Sequence, residues 1–430
     1  MMPEERPTLR RNTTKPVATK LVTGAAQVLT CAVDAPDLVG CIDGGVVAIA
    51  DNKILEVGSK DEVTKKVDIS TAEIIDAKGG VVIPGFVDCH THLVFASSRV
   101  EEYAHKVRGA SADEIDRLNI PRGIPATVRQ LGQASEEELV LSASQRLDHM
   151  ISFGTTTVES KSGYGLSTEL EIRMLRVNQQ LNQRHDVDIV STFLGAHEFP
   201  EDRSREHYID EICHEMIPEV AAQGLAEFND VYCDDGYYTV DESRRILNLG
   251  LDHGLKIKIH TDAYSHIGGS TLAAEIQAVS ADHLNYTSEA EYALLREAGV
   301  VGVVMPALDF AVGHGRPFDA RGMLDAGMTL ALATDMCPGC WLESMPFVLQ
   351  LACRLYAFSP AEALRAATIG AAKALNQSDK IGSLEIGKQA DISIFDLPRF
   401  EDFAYRLGRG QAAKVIKNGA LVFDTKSRSS

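Results

Sequence analysis

Two histidines separated by one residue, His90 and His92, end the apolar run VIPGFVDCHTH. Residues two apart in an extended chain face one side, so both imidazoles can be presented together, and two neutral imidazoles at fixed spacing suit a divalent metal. The tripeptide alone is weak, because histidines at strand ends are often structural. Four further apolar runs also finish in ionisable groups: His197 in FLGAH, His260 in KIHTD, His283 in SADHL and Asp335 in LATD. Three imidazoles, one carboxylate and a water would complete a first-row metal site with an open position. Hydrolysis of an amide-like bond at neutral pH needs a nucleophile better than bulk water, and a metal provides one by lowering the pKa of the water it binds. A neighbouring base must then take the remaining proton and deliver it to the leaving nitrogen. His283 and Asp335 are the candidates.

Such scattered residues meet only if the elements carrying them converge. Eight apolar runs (VVIPGFVDCHTH, GTTTVESKSGYG, DIVSTFLGAHEF, AEFNDVYC, LKIKIHTD, AVSADHLN, VVGVVMPA and MTLALATD) are separated by amphipathic stretches such as STELEIRMLRVNQQLNQR and VDESRRILNLGLDHG that begin after Ser, Thr or Asp caps. This alternation predicts an α/β fold, a (β/α)8 TIM-type barrel over residues 81–384, with active groups at the C-terminal ends of the strands. Short turn-punctuated β-segments precede and follow it, so residues 19–80 plus 385–426 are expected to form one small β-sandwich domain of antiparallel strands from both chain ends. Residues 1–18 read as a flexible arm, with no apolar stretch of secretory type behind their basic residues.

Composition narrows the partners. A formal net charge of −19 argues against nucleic acid or an anionic membrane, and no window approaches the roughly 20 apolar residues of a spanning helix. Eight cysteines spread through 430 residues suggest reduced thiols in a cytoplasm. The one tight pair, Cys337 and Cys340 in CPGC, could be a redox pair or half of a zinc site, but no second CxxC supports either, and a local structural role is expected.

The runs PGFVDCHTH, HTHLVFASSR, KSGYGL, TFLGAH, LKIKIHTD, SADHL, ALATDMCPG and GSLEIGKQADISIFD resemble the amidohydrolase superfamily and within it the imidazolonepropionase family, and the resemblance runs from about Thr19 to Asp424. The resemblance implies one divalent or trivalent metal ion, zinc or iron, held by His90, His92, His260 and Asp335. It implies that Arg99 clamps a substrate carboxylate, that Tyr164 and His197 hold the ring, and that His283 with Asp335 activates the attacking water. Plainer roles compete: Arg99 as a surface partner of Glu101 or Glu102, Tyr164 as a turn former, His197 as a loop tie. Lys161 could in principle be a carboxylated bridge to a second metal, although the resemblance favours one. The histidines at 105, 149, 185, 207, 214, 253, 266 and 314 are expected to be surface or structural.

Three substrate-facing positions depart from the family: Ala263 stands where a glutamate is usual, Ala112 where a tyrosine is, and Cys337 where an asparagine is. Kept metal ligands with altered recognition leave Tyr264 or His266 to substitute, or a different ring to be opened. The expected function is therefore metal-dependent hydrolysis of a cyclic amide or amidine C–N bond in a small heterocycle bearing a carboxylate, with imidazolonepropionate leading. A deaminase acting on another nitrogen heterocycle is the alternative, and a non-catalytic barrel the remote one. A homodimer is the expected assembly.

Overall fold

The computed structural model describes residues 15–426. Residues 1–14, most of the expected arm, lie outside the described residues. Where the description begins, Lys15 Nζ donates to the Thr64 carbonyl (2.7 Å) and the Ala18 amide to Asp68 (2.8 Å).

Eight parallel strands follow one another around the expected barrel in chain order: β1 (Phe86–Asp88), β2 (Thr155–Lys161), β3 (Asp188–Ala196), β4 (Phe228–Cys233), β5 (Lys256–Thr261), β6 (Ser280–His283), β7 (Val301–Val304) and β8 (Leu330–Leu332). Most of their residues are buried, because helices cover the outer face while side chains fill the inside. The helices start where sequence said they would. Thr168–Arg184 follows Ser167, whose side chain accepts from the Leu170 amide, and Val240–Asp252 opens with a capping box of Thr239 with Glu242, so side chains satisfy amides left unpaired at a helix start.

The seam between β8 and β1 closes just beyond the strand ends. Thr91 bridges Met336, the His92 amide donates to the Met336 carbonyl (2.8 Å), and the Asp335 amide to the His90 carbonyl (3.1 Å). Asp88 accepts from the Thr334 amide and hydroxyl at 3.1 and 2.6 Å. Ring closure itself thus brings the His-Thr-His segment to Asp335.

Two smaller sheets come from both chain ends. One has four strands, ordered Lys53–Gly58, Val46–Ala50, Lys20–Thr23, Glu73–Asp76; the other has six, ordered Ala420–Asp424, Lys414–Lys417, Ile392–Phe395, Val81–Pro84, Gln27–Leu29, Cys41–Asp43. Val22, Val47, Ile49 and Ile75 of the first share a core with Val28, Val82, Ile392 and Ile416 of the second. Two details differ from expectation. Val81–Pro84, read as the start of the first barrel strand, pairs instead with Ile392–Phe395 in the six-stranded sheet. The chain passes from sheet to barrel at Gly85, where a Cβ would stand 2.2 Å from the Thr156 hydroxyl, so only glycine lets the two layers approach this closely. Nor is every pairing antiparallel: Lys20–Thr23 runs parallel to Glu73–Asp76, and Gln27–Leu29 to Val81–Pro84, since long connections between them permit a crossover.

Candidate active site

His90 and His92 lie in the extended segment just past β1, on either side of Thr91, so the two-residue spacing keeps both rings at the barrel mouth. Arg146, buried on the helix Glu136–Ser152, pins the chain that follows, donating to the carbonyls of Leu93 (2.7 Å) and Phe95 (2.9 Å). His260 comes from β5, with its ring centroid 4.4 Å from that of His90. Asp335 follows β8, and its Oδ1 stands 3.7 Å from Nε2 of both His90 and His92.

His283 ends β6 with φ of 82°, followed by Leu284 at 64°, and Asp335 sits at 49°. Non-glycine residues rarely hold this left-handed backbone, and it clusters where side chains must be aimed against the ordinary alternation. Here it lets the adjacent residues Asp282 and His283 both reach the centre. Asp282 Oδ2 lies 2.6 Å from His90 Nδ1, and the His283 ring centroid is 5.4 Å from that of His90 and 5.2 Å from that of His260.

Ligand atoms of His90, His92 and Asp335 lie within 4.8 Å of one another, and so do those of His90, His260 and His283. His90 belongs to both sets. Nε2 of His90, Nδ1 of His92, both ring nitrogens of His260 and Oδ1 of Asp335 are buried without a hydrogen bond, although Asp230 Oδ2 is 3.0 Å from His260 Nδ1. Buried polar atoms are normally paired, so this concentration of unpaired ligand atoms fits a bound cation. Charge fits as well. Lys161 and Lys258 face Glu159, Asp230, Asp282 and Asp335, two ammonium groups against four carboxylates. Burial first, then the nearby Lys161 and neighbouring imidazoles, holds His90 well below the ordinary imidazole pKa; burial and the surrounding imidazoles do the same for His92 and His283. Neutral rings are what a metal binds. Burial pushes Asp335 up to about 6.

Lys161 donates to Asp230 (2.8 Å) and Glu159 (3.0 Å) and lies 3.5 Å from Asp282. Burial alone would lower its pKa, but these three carboxylates raise it instead. It is an ammonium in a carboxylate nest, and a carboxylated Lys161 bridging a second metal does not fit.

A cavity of about 910 Å³ opens above the cluster, lined by His92, Arg99, Tyr164, His197, Glu198, Tyr232, Tyr237, Tyr264, His283 and Asp335 among others. Arg99 lines this cavity and lies 3.9 Å from Glu102, one of the two acids named as its surface partner. His197 donates from Nδ1 to the Gly163 carbonyl (3.0 Å) and stacks on His92 at 4.9 Å, so the loop tie sets the ring that faces the cavity. Burial lowers it to about 3. Tyr164 packs 5.3 Å from His92.

Of the three departures, only Cys337 lines the cavity. Ala112 opens a short exposed helix, where a methyl group does not extend to the cavity. Ala263 is buried, and its carbonyl accepts from His314 Nε2 (2.9 Å). Tyr264 lines the cavity, whereas His266 pairs with Glu291 (2.8 Å) away from it. The Cys337-Pro338-Gly339-Cys340 segment is a tight turn closed by reciprocal backbone hydrogen bonds of 3.1 and 3.2 Å between its cysteines. A Cβ at Gly339 would stand 2.2 Å from Arg99 Nη2, so this turn backs the guanidinium. All eight cysteines are free.

Asp230, Asp282, Arg146 and Glu198 escaped the sequence reading. Asp282 adjoins His283, which was a signal; but alternation places neighbours on opposite faces, and only the left-handed turn overrides it.

The profile of the Amidohydrolase family matches residues 81–422. The chain is 45% identical over 388 residues to the imidazolonepropionase of Geobacillus kaustophilus (strain HTA426), covering 89% of this chain and 91% of that protein. It is 46% identical, over 89% of this chain and 91% of the relative, to the imidazolonepropionase of Symbiobacterium thermophilum. Among solved structures, a zinc-bound adenosine deaminase from Xanthomonas campestris superposes with a TM-score of 0.72 at 19% identity, covering 96% of this chain and 94% of that one. Guanine deaminase of E. coli gives 0.69 at 16% identity, covering 94% and 99%. These two likenesses concern the fold. With the sequence matches running through barrel and mouth alike, the chain belongs to the amidohydrolase family, on the branch of its imidazolonepropionase relatives.

Proposed function

We propose that this metal-dependent amidohydrolase opens the ring of 4-imidazolone-5-propanoate with water, giving N-formimino-L-glutamate in histidine degradation. The observation that carries the reading is the set of unpaired ligand atoms from His90, His92, His260 and Asp335 beneath a cavity that also holds Arg99. These four residues would hold one divalent or trivalent metal ion, zinc or iron. Bound there, it would supply Lewis-acid activation of water. Arg99 binds the propanoate, backed by the 337–340 turn, through a charge-assisted pair. Tyr164 and His197 hold the ring. His283, with Asp335, takes the proton from the attacking water as its oxygen adds to the ring carbon; the C–N bond breaks, and that proton goes to the departing nitrogen. Cytoplasmic residence and a homodimer complete the reading. The free cysteines suit the first, and sedimentation tests the second.

Cys337 in the cavity wall favours a second reading, deamination of another nitrogen heterocycle. Freshly made imidazolonepropionate, followed spectroscopically beside hydantoins, lactams and aminated azoles, separates the two. Loss of the imidazolone chromophore supports ring opening of that substrate. Ammonia release from an aminated azole without ring opening, with imidazolonepropionate untouched, overturns it. Metal analysis of the purified protein decides zinc against iron, and a metal-free preparation with no activity towards any ring would leave only a non-catalytic barrel.

A further inference from the structure

The cavity contains a carboxylate to which the mechanism gives no task. Glu198 follows His197 immediately after β3, and both line the cavity. Its Oε1 accepts only from the next amide, that of Phe199 (2.9 Å), and no side-chain donor reaches either oxygen among the described residues. The nearby cation is engaged elsewhere: Arg205 lies over the Phe199 ring at 4.3 Å and donates to Glu242. Every other half-buried or buried acid in the cavity wall has a task or a partner. Glu102 pairs with Lys106 (2.5 Å), and Asp335 belongs to the metal cluster. Burial raises the pKa of Glu198, as it does for a carboxyl lacking a counter-charge.

The backbone holds Glu198 where it is. Its own carbonyl accepts from the Tyr238 hydroxyl (3.2 Å), and Tyr238 stacks on Phe199 at 4.4 Å. Arg99 sits against the 337–340 turn, while Glu198 neighbours Tyr237, which stacks on Tyr232 at 4.0 Å. The cavity is therefore polarised, with a guanidinium at one place, an open carboxylate at another and tyrosine faces beside it. A half-buried acceptor without a donor discriminates strongly, because a ligand that cannot donate leaves it desolvated and unpaired.

We propose that Glu198 is a specificity-determining residue that receives an N–H group of the substrate, so the natural substrate carries a donating nitrogen in addition to its carboxylate. The proposal rests on the ring-hydrolase reading and adds a recognition element to it. Its test uses binding rather than turnover, so that the two can fail separately. The metal-loaded enzyme, Glu198→Ala and Glu198→Gln are titrated calorimetrically with a hydantoin bearing a 5-propanoate arm, its ring N-methyl derivatives, and a cyclic amidinium with the same arm. Thermal midpoints of the three proteins establish that they fold alike. We expect wild type to prefer the N–H hydantoin over one N-methyl derivative by about tenfold, and Glu198→Ala to lose that preference. Glu198→Gln, which keeps an acceptor without charge, retains the neutral hydantoin and weakens the amidinium. An N–H preference equal in wild type and Glu198→Ala overturns the proposal, as does an unchanged Kd for both N–H ligands. Absent turnover of imidazolonepropionate by wild type, with this binding pattern intact, overturns the substrate reading and leaves the role of Glu198 standing.

Discussion

Two layers of buried polar groups share the barrel interior, and they are built on opposite principles. In the lower layer each charge has an opposite charge close by: Lys161 lies 2.8 Å from Asp230 and 3.0 Å from Glu159, and Lys258 lies 2.7 Å from Glu159. In the upper layer His90, His92, His260 and Asp335 hold ring nitrogens and an oxygen buried with no hydrogen bond. Burial is complete or nearly so in both, so burial alone does not mark a site. What separates them is saturation: of the lower-layer groups Lys161, Lys258, Glu159 and Asp230, one atom lacks a hydrogen bond, Glu159 Oε2, and Lys161 Nζ stands 3.0 Å from it. A closed network specifies the fold, whereas unpaired donors and acceptors at fixed positions await something that is not protein. Asp282 belongs to both layers, facing Lys161 below and His90 above.

Four substitutions probe this division, the most damaging first. His283→Ala, in the upper layer, should lower kcat by about 10² to 10⁴-fold, the usual worth of a positioned acid–base group, while metal content and thermal midpoint hold. A midpoint that falls with the rate would put His283 in the structural layer. Lys161→Met in the lower layer should instead act on stability. Removing one partner of a buried ion network costs about 3–5 kcal/mol, seen as a lower urea midpoint. An unchanged midpoint with lost activity would move Lys161 into the site. For Asp282→Asn, which links the layers, metal affinity should fall by about 10 to 100-fold in chelator competition, because the His90 ring loses its orienting carboxylate. The smallest effect lies outside both. Glu242, at the start of the helix Val240–Asp252, is brought down to about 2, chiefly by its hydrogen bond to Arg205. A lowered carboxyl stabilises above its unfolded value and loses that contribution as pH drops through the folded value. Glu242→Gln should therefore cost under about 1 kcal/mol at pH 7, and its gap from wild type should narrow below pH 4.5 and vanish near 2.

Much of this architecture could be read before any coordinates. Alternating apolar runs and capped amphipathic stretches predicted the barrel because strand and helix periodicity are local properties of the chain. The strand-end histidines and Asp335 predicted the upper layer because barrel topology converts positions after successive strands into neighbours. The boundary at Gly85 was missed. VVIPGFV is apolar on both sides of the Pro84-Gly85 break, and the break alone does not assign four residues to one sheet and three to another. The lower layer is hidden for a similar reason: Lys161 stands out in the sequence only as a possible metal bridge, and Glu159, Asp230 and Lys258 look like polar interruptions in β-strands until the ring closes and places each charge within 3.0 Å of an opposite one.

By itself, the sequence determined which side chains could bind a cation and that they would stand at strand ends, because residue type and two-residue alternation are written along the chain. The tertiary structure alone decided which of them lack partners, that Tyr264 rather than His266 faces the cavity, that Asp282 orients His90, and that Glu198 stands open beside Tyr237. Those are properties of distance and exclusion of water between residues far apart in the chain, and electrostatic pairing depends on separation in space rather than on order in sequence.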